Sequence, residues 1–428
     1  MAWARGMWLR CMADQTSTVC RLTDAVKTPA HSAAVEVATW AAGTAQFSNL
    51  PLYRNNHVEL LIDGPATYKR MLECISAARE HVYLETYIFA DDEVGRQFAT
   101  LLKEKSRAGV TVGIIYDSIG SIRSDGDFFD DMKLEGIRVI EFNDVSPGRG
   151  NLMKLNNRAH RKLLIVDSRI AFTGGINLSR TYSSSSSASP RKNLLMEGWR
   201  DTQIAVTGPA VEGFLLDFSD RWHRLCGERL RTMEHQTTDP RAQPGSEAVA
   251  ILTATGGDDR KSAIIDAYKA AIRRAKERVW ITQAYFAPAR GFVALLRKAA
   301  RRGVDVRIIV PGISDSPIVR HASRSWYGKL LRKGVRIYEC TNALLHAKTA
   351  VIDGIWSTVG TSNLDYRSFL HNDEINAVIL GRGFARRMEA QFEQDIANSV
   401  AIDLRAWKRR PPLDKVIERL SRSFEYWL

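Results

Sequence analysis

Two short segments of this chain carry the same pattern of chemically active residues. Residues 160–167 and residues 346–353 both fit the pattern H-x-K-x4-D. Asn177 follows the first segment after a pair of glycines, and Ser362 and Asn363 follow the second segment after a single glycine. Two histidines, two lysines and two side-chain amides that meet at one centre are what a two-step phosphoryl transfer needs.

The residue types in these segments indicate a separate catalytic role for each group. One neutral imidazole attacks phosphorus and gives a covalent phosphohistidine, while the other protonates the departing alkoxide and later deprotonates the incoming hydroxyl. Lysines and amides offset the charge on the non-bridging oxygens. The scheme needs no metal and no other cofactor. The predicted catalytic residues are those of the two motifs, His160, Lys162, Asp167, His346, Lys348 and Asp353. The predicted phosphate-binding residues are Asn177, Asn363 and Ser362.

Each histidine also needs a carboxylate that orients its ring. Asp167 and Asp353 complete the two catalytic motifs, but each lies five residues after its lysine and therefore on the opposite strand face. We expect these two to hold structure at the interface between the halves. Asp201 and Glu374 precede apolar strand patterns at matching places and are the predicted histidine partners. The alternative is that both are solvent-facing acids.

The internal repeat extends well beyond the two motifs. In the first half, residues 79–89 and 110–116 have strand patterns, residues 97–108 have helical periodicity, and Gly109 ends the helix. Residues 276–286, 292–302 and 304–310, with Gly303, repeat this order in the second half. The alternation predicts an α/β fold in which two similar α-β-α layered halves, each with a mixed sheet, form a pseudo-dimer.

Composition shifts give the expected domain boundaries. We predict an N-terminal extension at 1–50, poorly ordered or amphipathic, a first half at 51–235, a linker at 236–250, a second half at 251–402 and a basic amphipathic tail at 403–428. The serine run 183–189 is predicted to be a flexible surface insertion. In the tail, apolar residues after Pro412 recur at helical spacing opposite basic ones. Such a helix lies in a membrane interface or packs on the domain.

The bulk properties narrow the class of protein. An apolar fraction of 45% supports a folded core, and a net charge of +13 favours an anionic partner, either nucleic acid or an anionic membrane. Five cysteines without a CxxC spacing argue against a disulfide framework or a zinc site and fit a reducing compartment. No apolar run reaches about 18 residues, so we expect neither a transmembrane helix nor a signal peptide.

The paired motifs resemble the signature of the phospholipase D superfamily. Short sequence segments between roughly residues 55 and 400 resemble those of the bacterial cardiolipin synthases in this superfamily. They are residues 84–89, 174–177, 199–201, 208–211, 284–286, 358–365 and 372–374. The resemblance implies one active site shared by the two halves, with His160 as nucleophile and His346 as general acid/base, or the reverse. Many cardiolipin synthases begin with two transmembrane helices, and this chain resembles the shorter type without them.

The resemblance also implies a reaction. One phosphatidylglycerol is cleaved, free glycerol leaves, and the phosphatidyl group passes to a hydroxyl of a second lipid. Phosphatidylglycerol is the expected substrate, phosphatidylethanolamine is an alternative co-substrate, and the anionic phospholipid surface on the cytoplasmic side of the membrane is the expected peripheral location.

Three other interpretations use the same residues. A phospholipase D that hydrolyses lipids, or another phosphatidyltransferase such as a phosphatidylserine synthase, has the same catalytic groups, because water and alcohols compete for one intermediate. A nuclease of the superfamily would use the +13 charge for nucleic acid, but no nucleic-acid-binding module is visible. A non-enzymatic basic scaffold fits poorly with two intact motifs.

Overall fold

The computed structural model describes residues 39–40, 51–124, 126–144, 157–187, 198–230, 246–256 and 262–424. Residues 39 and 40, which are helical, belong to a separate unit at 1–42, and residues 43–428 form one compact unit. Most of the predicted extension 1–50, residues 236–245 of the predicted linker, Ser189 of the serine run and the last four residues of the tail lie outside the described residues.

The strands and helices of the first half alternate as the sequence pattern predicts. They are β1 Leu52–Ile62, α1 Asp63–Ala77, β2 His81–Thr86, α2 Glu93–Arg107, β3 Thr111–Asp117, α3 Gly126–Leu134, β4 Arg138–Phe142, β5 Leu163–Val166, β6 Ile170–Gly174, β7 Thr202–Thr207 and α4 Ala210–Cys226.

The second half repeats this order with additions at its C-terminal end. Its elements are β8 Glu247–Ala254, α5 Ala263–Arg274, β9 Arg278–Gln283, β10 Phe286–Ala287, α6 Arg290–Arg301, β11 Asp305–Pro311, α7 Pro317–Leu331, β12 Arg336–Cys340, β13 Lys348–Ile352, β14 Trp356–Gly360, β15 Leu364–Asp365, α8 Tyr366–Leu370, β16 Glu374–Leu380, α9 Arg382–Ala397, β17 Ser399–Ala401, α10 Leu404–Lys408 and α11 Pro412–Ser423. Strand β8 therefore begins inside the predicted linker.

All but two of the described strands belong to one mixed sheet. Its order is β17-β12-β11-β9-β13-β14-β16-β8-β1-β7-β6-β5-β2-β3-β4, while β10 and β15 form a separate parallel pair. The series β1-β7-β6-β5-β2-β3-β4 recurs as β8-β16-β14-β13-β9-β11-β12 in the second half. The mixed α/β class is confirmed, but the two predicted sheets are joined, because β1 pairs with β8 in antiparallel fashion and so covers an edge of each half.

Helices cover both faces of the sheet. On β2 and β5, Tyr83 and Ile165 pack in a core with α4, whereas their neighbours Val82 and Leu164 pack in a core with α1, α2 and α3. Alternate strand side chains point to opposite faces, so each face has its own helical layer. The first of these cores also contains residues of α9 and of the second half's strands, and it therefore holds the two halves together.

Local signals determine where these elements end. The side chain of Asp92 caps the start of α2 by accepting a hydrogen bond from the backbone N–H of Gly95 at 3.1 Å. Gly109 after α2 and Gly303 after α6 have φ values of +86° and +89°, conformations that favour glycine. Both glycines end helices as predicted. Among the described residues, no helix has both the length and the apolarity to cross a membrane.

Candidate active site

His160 is held in place by the second half of the chain. Its segment forms an isolated parallel bridge between Ala159 and Asp373, in which the backbone N–H of His160 donates to the carbonyl of Asp373 at 3.0 Å. This bridge places the next residue, Glu374, beside the ring, with both carboxylate oxygens 3.0 Å from His160 Nδ1. The partner of the first histidine therefore comes from the other half.

His346 has the mirror arrangement. An isolated parallel bridge joins Leu345 to Arg200, and the backbone N–H of His346 donates to the carbonyl of Arg200 at 2.8 Å. The following residue, Asp201, lies with Oδ2 2.7 Å from His346 Nδ1. Each histidine is thus oriented by a carboxylate from the opposite half, so neither half has a complete pair by itself.

The two carboxylates define which ring nitrogen is available. An ionised carboxylate only accepts hydrogen bonds, so a carboxylate at Nδ1 favours the tautomer with the proton on that atom. At His346 the same nitrogen also lies 2.9 Å from Lys348 Nζ and 3.2 Å from Tyr182 Oη, so Asp201 competes there with two possible donors. Nε2 then carries the lone pair in a neutral ring. Both His160 and His346 line the same cavity. The arrangement supplies two imidazoles whose free nitrogens can serve one substrate.

The two lysines of the motifs lie beneath the histidines. Lys162 Nζ donates to the carbonyl of His160 at 2.7 Å, and Lys348 Nζ donates to the carbonyl of His346. Both lysines are buried. Burial lowers the pKa of Lys162 to about 7 and lowers that of Lys348 as well, because an ammonium loses hydration inside the protein. The ammonium form of Lys162 is therefore lost as the pH rises through about 7.

The histidines have different electrostatic surroundings. Burial, helped by Lys162 and Lys348, lowers the pKa of His160 well below its ordinary value. Burial and Lys348 also lower the pKa of His346, but Asp201 opposes this by favouring the imidazolium. For Glu374, burial raises the pKa to about 8 against the pull of Lys162. The site thus keeps His160 neutral and gives His346 the better support for a proton.

One cavity of about 390 Å³ is lined by both histidines, whereas Lys162, Lys348, Asp201 and Glu374 lie behind its lining. Its lining is polar and aromatic, and comprises Tyr87, Ile88, Arg158, His160, Asn177, Tyr182, Trp199, Tyr285, Asp315, Ser316, Val319, His346, Asn363, Asp365, Arg367, Ser368 and Asn372. Two arginines and two histidines in one concave site suit a phosphate group, and the aromatic rings suit the apolar parts of its ester. In the described ranges, no three His, Cys, Asp or Glu side chains gather as metal ligands.

The three predicted amide and hydroxyl groups have different positions. Asn363 lines the cavity, and its buried Oδ1 has no hydrogen-bond partner within the described protein. Asn177 also lines the cavity, but it donates to Tyr182 Oη at 3.1 Å and accepts from the backbone N–H of Ile88 at 3.1 Å. The hydroxyl of Ser362 donates to the carbonyl of Asn363 at 3.2 Å and does not line the cavity.

Asp167 and Asp353 lie away from the histidines, at the turns that follow β5 and β13. Asp167 accepts hydrogen bonds from the backbone N–H groups of residues 79–81 at 2.8–3.0 Å, and Asp353 does the same for residues 276–278 at 2.8–2.9 Å. Both are structural contacts within one half. The expectation that they stabilise the interface between the halves is wrong, because each lies next to the helix-to-strand turn of its own half. Their position also gives them no direct contact with reacting atoms.

Several residues that line the cavity were not among the site residues predicted from the sequence. Trp199, Tyr285 and Asp365 lie in sequence segments that resemble the family. The sequence analysis singled out these segments but assigned no function to the three residues. Tyr182, whose Oη lies 3.2 Å from His346 Nδ1, and Arg367 had no such signal. Functional residues that lie outside a sequence motif can be identified only from the folded structure, which places them in the same cavity.

The serine run that follows Tyr182 is partly anchored in the described structure. Asp63, which has φ of +63°, accepts hydrogen bonds from the backbone N–H of Ser186 at 2.7 Å and from that of Asp201 at 3.1 Å. The first residues of the run are therefore tied to the same carboxylate that holds the backbone of Asp201. This part of the predicted flexible insertion supports the site.

Comparisons with known proteins identify the family of this chain. A family profile described as "Cardiolipin synthase, PLD-like domain" matches residues 71–187 and 268–396. A cardiolipin synthase of Geobacillus kaustophilus is 33% identical over 87% of this chain and 72% of its own length, and a probable cardiolipin synthase of Bacillus subtilis is 30% identical over 88% and 73%. The crystal structure of a phosphatidylserine synthase from Haemophilus influenzae has a TM-score of 0.64 at 13% identity and covers 91% of this chain and 100% of its own, a likeness of fold.

Proposed function

Since the chain belongs to the cardiolipin synthase family with PLD-like domains, we propose that it transfers the phosphatidyl group of one phosphatidylglycerol to a hydroxyl of a second lipid. The observation that carries this proposal is the pair of crossed histidine–carboxylate contacts, His160 with Glu374 and His346 with Asp201, at one cavity. Two oriented imidazoles supply a nucleophile and an acid/base in the same place.

In the first step, Nε2 of His160 attacks phosphorus, and the bond from phosphorus to the glycerol headgroup oxygen breaks. The imidazolium of His346 donates its proton to that oxygen, so glycerol leaves neutral. The low pKa of His160 and the support that Asp201 gives to a proton on His346 favour this assignment over the reverse one. Lys162, Lys348, Arg158 and Arg367 offset the negative charge that builds up on the phosphoryl oxygens.

In the second step, neutral His346 accepts the proton of the incoming hydroxyl, whose oxygen attacks phosphorus while the bond from phosphorus to His160 breaks. Two phosphatidylglycerols then give one cardiolipin and one glycerol, and both histidines return to their starting states. Water gives phosphatidic acid by the same route. Exclusion of water from the cavity, by lipid and by the aromatic rings Tyr87, Tyr182 and Trp199, decides between the two products.

The location follows from the substrate and the charge. Phosphatidylglycerol is anionic and membrane-bound, and the chain carries a net charge of +13. We therefore place the protein as a peripheral protein on an anionic phospholipid surface at the cytoplasmic side of the membrane. Phosphatidylethanolamine, whose headgroup carries an amine, is an alternative co-substrate.

Product analysis tests the proposal. Purified protein mixed with phosphatidylglycerol vesicles is expected to give cardiolipin and glycerol in equal amounts, seen by mass spectrometry. The His160→Gln variant is expected to give neither while keeping its melting temperature. Phosphatidic acid as the sole phosphorus product would make the protein a hydrolase, and turnover that survives His160→Gln would reject the histidine mechanism.

A further inference from the structure

Helix α11 packs on α7 with its polar side. Glu418 is 4% exposed and accepts a hydrogen bond from Arg410 at 3.1 Å, and Arg324 lies 3.6 Å from it. The guanidinium of Arg422 stacks over the ring of Trp326 at 3.7 Å. Amphipathic helices usually bury their apolar stripe against the core. Here charged and aromatic contacts attach α11 to α7, and the apolar stripe of α11 is exposed.

The opposite side of α11 is a continuous apolar surface. Residues at 413, 416, 417, 420 and 424 have helical spacing and, at roughly 100° per residue, fall within an arc of about 100°. All five are exposed large hydrophobic residues, including Leu413 at 67% and Leu420 at 60%. We call this set, Leu413, Val416, Ile417, Leu420 and Phe424, the apolar arc. A run of exposed apolar side chains on one helix marks an interaction surface.

The surroundings of the apolar arc are basic. Lys415 and Arg419 are exposed on the adjoining side of α11. On α7, Lys329 has a lowered pKa, and beside burial the repulsion of four arginines contributes to this shift, namely Arg422 on α11, Arg290 and Arg297 on α6, and Arg332 at the end of α7. An apolar stripe beside a cationic band matches the boundary between acyl chains and anionic headgroups. A second copy of this chain would bring the same cations against each other.

We propose that the apolar arc inserts into the interface of an anionic phospholipid bilayer and holds the protein there, an inference that rests on the proposed function because the lipid is also the substrate. Helix α7 relates this surface to the site. Ser316 and Val319, at its beginning, line the cavity, and its later residues Arg324 and Trp326 hold α11. Helix α7 therefore links the helix that carries the apolar arc to the lining of the cavity.

Vesicle binding tests this surface directly. We compare the wild type with Leu413→Ser/Leu420→Ser in cosedimentation with vesicles of phosphatidylglycerol and phosphatidylcholine. Removal of two leucine side chains from the interface is expected to lower the partition coefficient at least about tenfold. The matched control is Leu134→Ser/Leu216→Ser, because these leucines are 88% and 45% exposed on other helices. The control is expected to bind like the wild type.

A second readout separates this inference from the proposed function. Dihexanoyl phosphatidylglycerol below its critical micelle concentration needs no membrane, so the Leu413→Ser/Leu420→Ser variant is expected to turn it over at the wild-type rate and to lose turnover on vesicles. Equal vesicle binding by wild type and variant overturns the apolar arc as the docking surface. A wild-type dimer that the variant loses assigns the arc to a second copy and also overturns it. Vesicle binding through the arc without turnover of either substrate rejects the proposed function alone.

Discussion

At the scale of single residues, the site depends on which proton each histidine carries. Glu374 accepts a hydrogen bond from Thr361 Oγ1 at 2.5 Å while it faces His160 Nδ1, so its orientation is fixed by the protein rather than by the substrate. Burial raises the pKa of Glu374 to about 8, and the same burial keeps His160 neutral. Above that pH the carboxylate of Glu374 is ionised and can offset the positive charge that forms on the imidazole in the proposed attack on phosphorus.

Glu374→Gln tests this pairing. The amide keeps the shape of the side chain but can donate its N–H groups to Nδ1, which puts the ring proton on Nε2 and blocks attack. We expect kcat to fall on the order of 10³-fold, in line with the loss of other carboxylates that orient a catalytic histidine. The measurement is kcat with dihexanoyl phosphatidylglycerol, beside the melting temperature. The control is Glu389→Gln, at an ion pair with Arg278 away from the cavity; equal kcat in the two variants would contradict the role of Glu374.

The pKa of Lys162 predicts a pH dependence. Burial lowers this pKa to about 7 in the free protein, so the ammonium charge is present below that pH and is lost as the pH rises. A bound phosphodiester anion favours the charged lysine and raises its pKa. The proposed first step also needs the imidazolium of His346, whose pKa burial and Lys348 lower, so the alkaline limb of kcat/KM is expected at or below about pH 7, and that of kcat at higher pH. Lys162→Arg, which stays charged, should make the limb of kcat/KM less steep. Identical limbs for both parameters in the wild type would refute this account.

At the scale of elements, the turn after β6 determines where Asp201 can lie. A Cβ atom on Gly175 would come within 2.1 Å of Asp201 Oδ1, and that carboxylate is buried against His346. Gly175→Ala is expected to push Asp201 away and to lower kcat about 10²-fold or more. Gly291→Ala on helix α6 is the matched control, since its Cβ would meet nothing within 4 Å. Normal kcat in Gly175→Ala would show that the contact between Asp201 and His346 is dispensable.

A buried ion pair joins Arg200, which precedes β7, to Asp395 on α9 across the two halves. Arg200 donates to both carboxylate oxygens of Asp395, at 2.9 and 2.7 Å, and neither residue is exposed. Asp395→Ala removes this carboxylate from the buried guanidinium, which still donates to the Asp201 carbonyl and to Thr202 Oγ1, and is expected to lower the free energy of unfolding by about 3 kcal/mol. Denaturant unfolding measures this loss. Asp266→Ala, at an exposed pair with Lys269, should change it by less than about 0.5 kcal/mol; similar losses in both variants would contradict the importance of the buried pair.

At the scale of the whole molecule, the repeat accounts for what could be predicted. Strand and helix patterns in the two halves predicted the mixed α/β class, because they depend on local spacing alone. The pairing of each histidine with a carboxylate from the opposite half was not predictable. It arises from bridges between residues more than 140 positions apart, Ala159 with Asp373 and Arg200 with Leu345. Patterns within one segment carry no information on such pairings.

The C-terminal helix also shows that a sequence pattern does not reveal tertiary contacts. Its amphipathic spacing predicted α11, but the side that faces the domain follows from Glu418 and Arg422, whose partners Arg324 and Trp326 lie on α7. The helix does pack on the domain, as one of the two interpretations had it, while its apolar stripe faces outwards. Periodicity identifies two sides of a helix, and tertiary contacts decide which one is buried.

We propose that His160 and His346 have different roles at one shared site. A phosphatidyl ester of p-nitrophenol tests it most directly, because this leaving group needs no proton. In His346→Gln the account predicts a burst of one nitrophenol per protein and a stable phosphatidyl adduct on His160, found by mass spectrometry after an alkaline quench, since no base remains to activate the acceptor. His160→Gln should show neither. A burst in His160→Gln with the adduct on His346, or no adduct in either variant, would contradict the account.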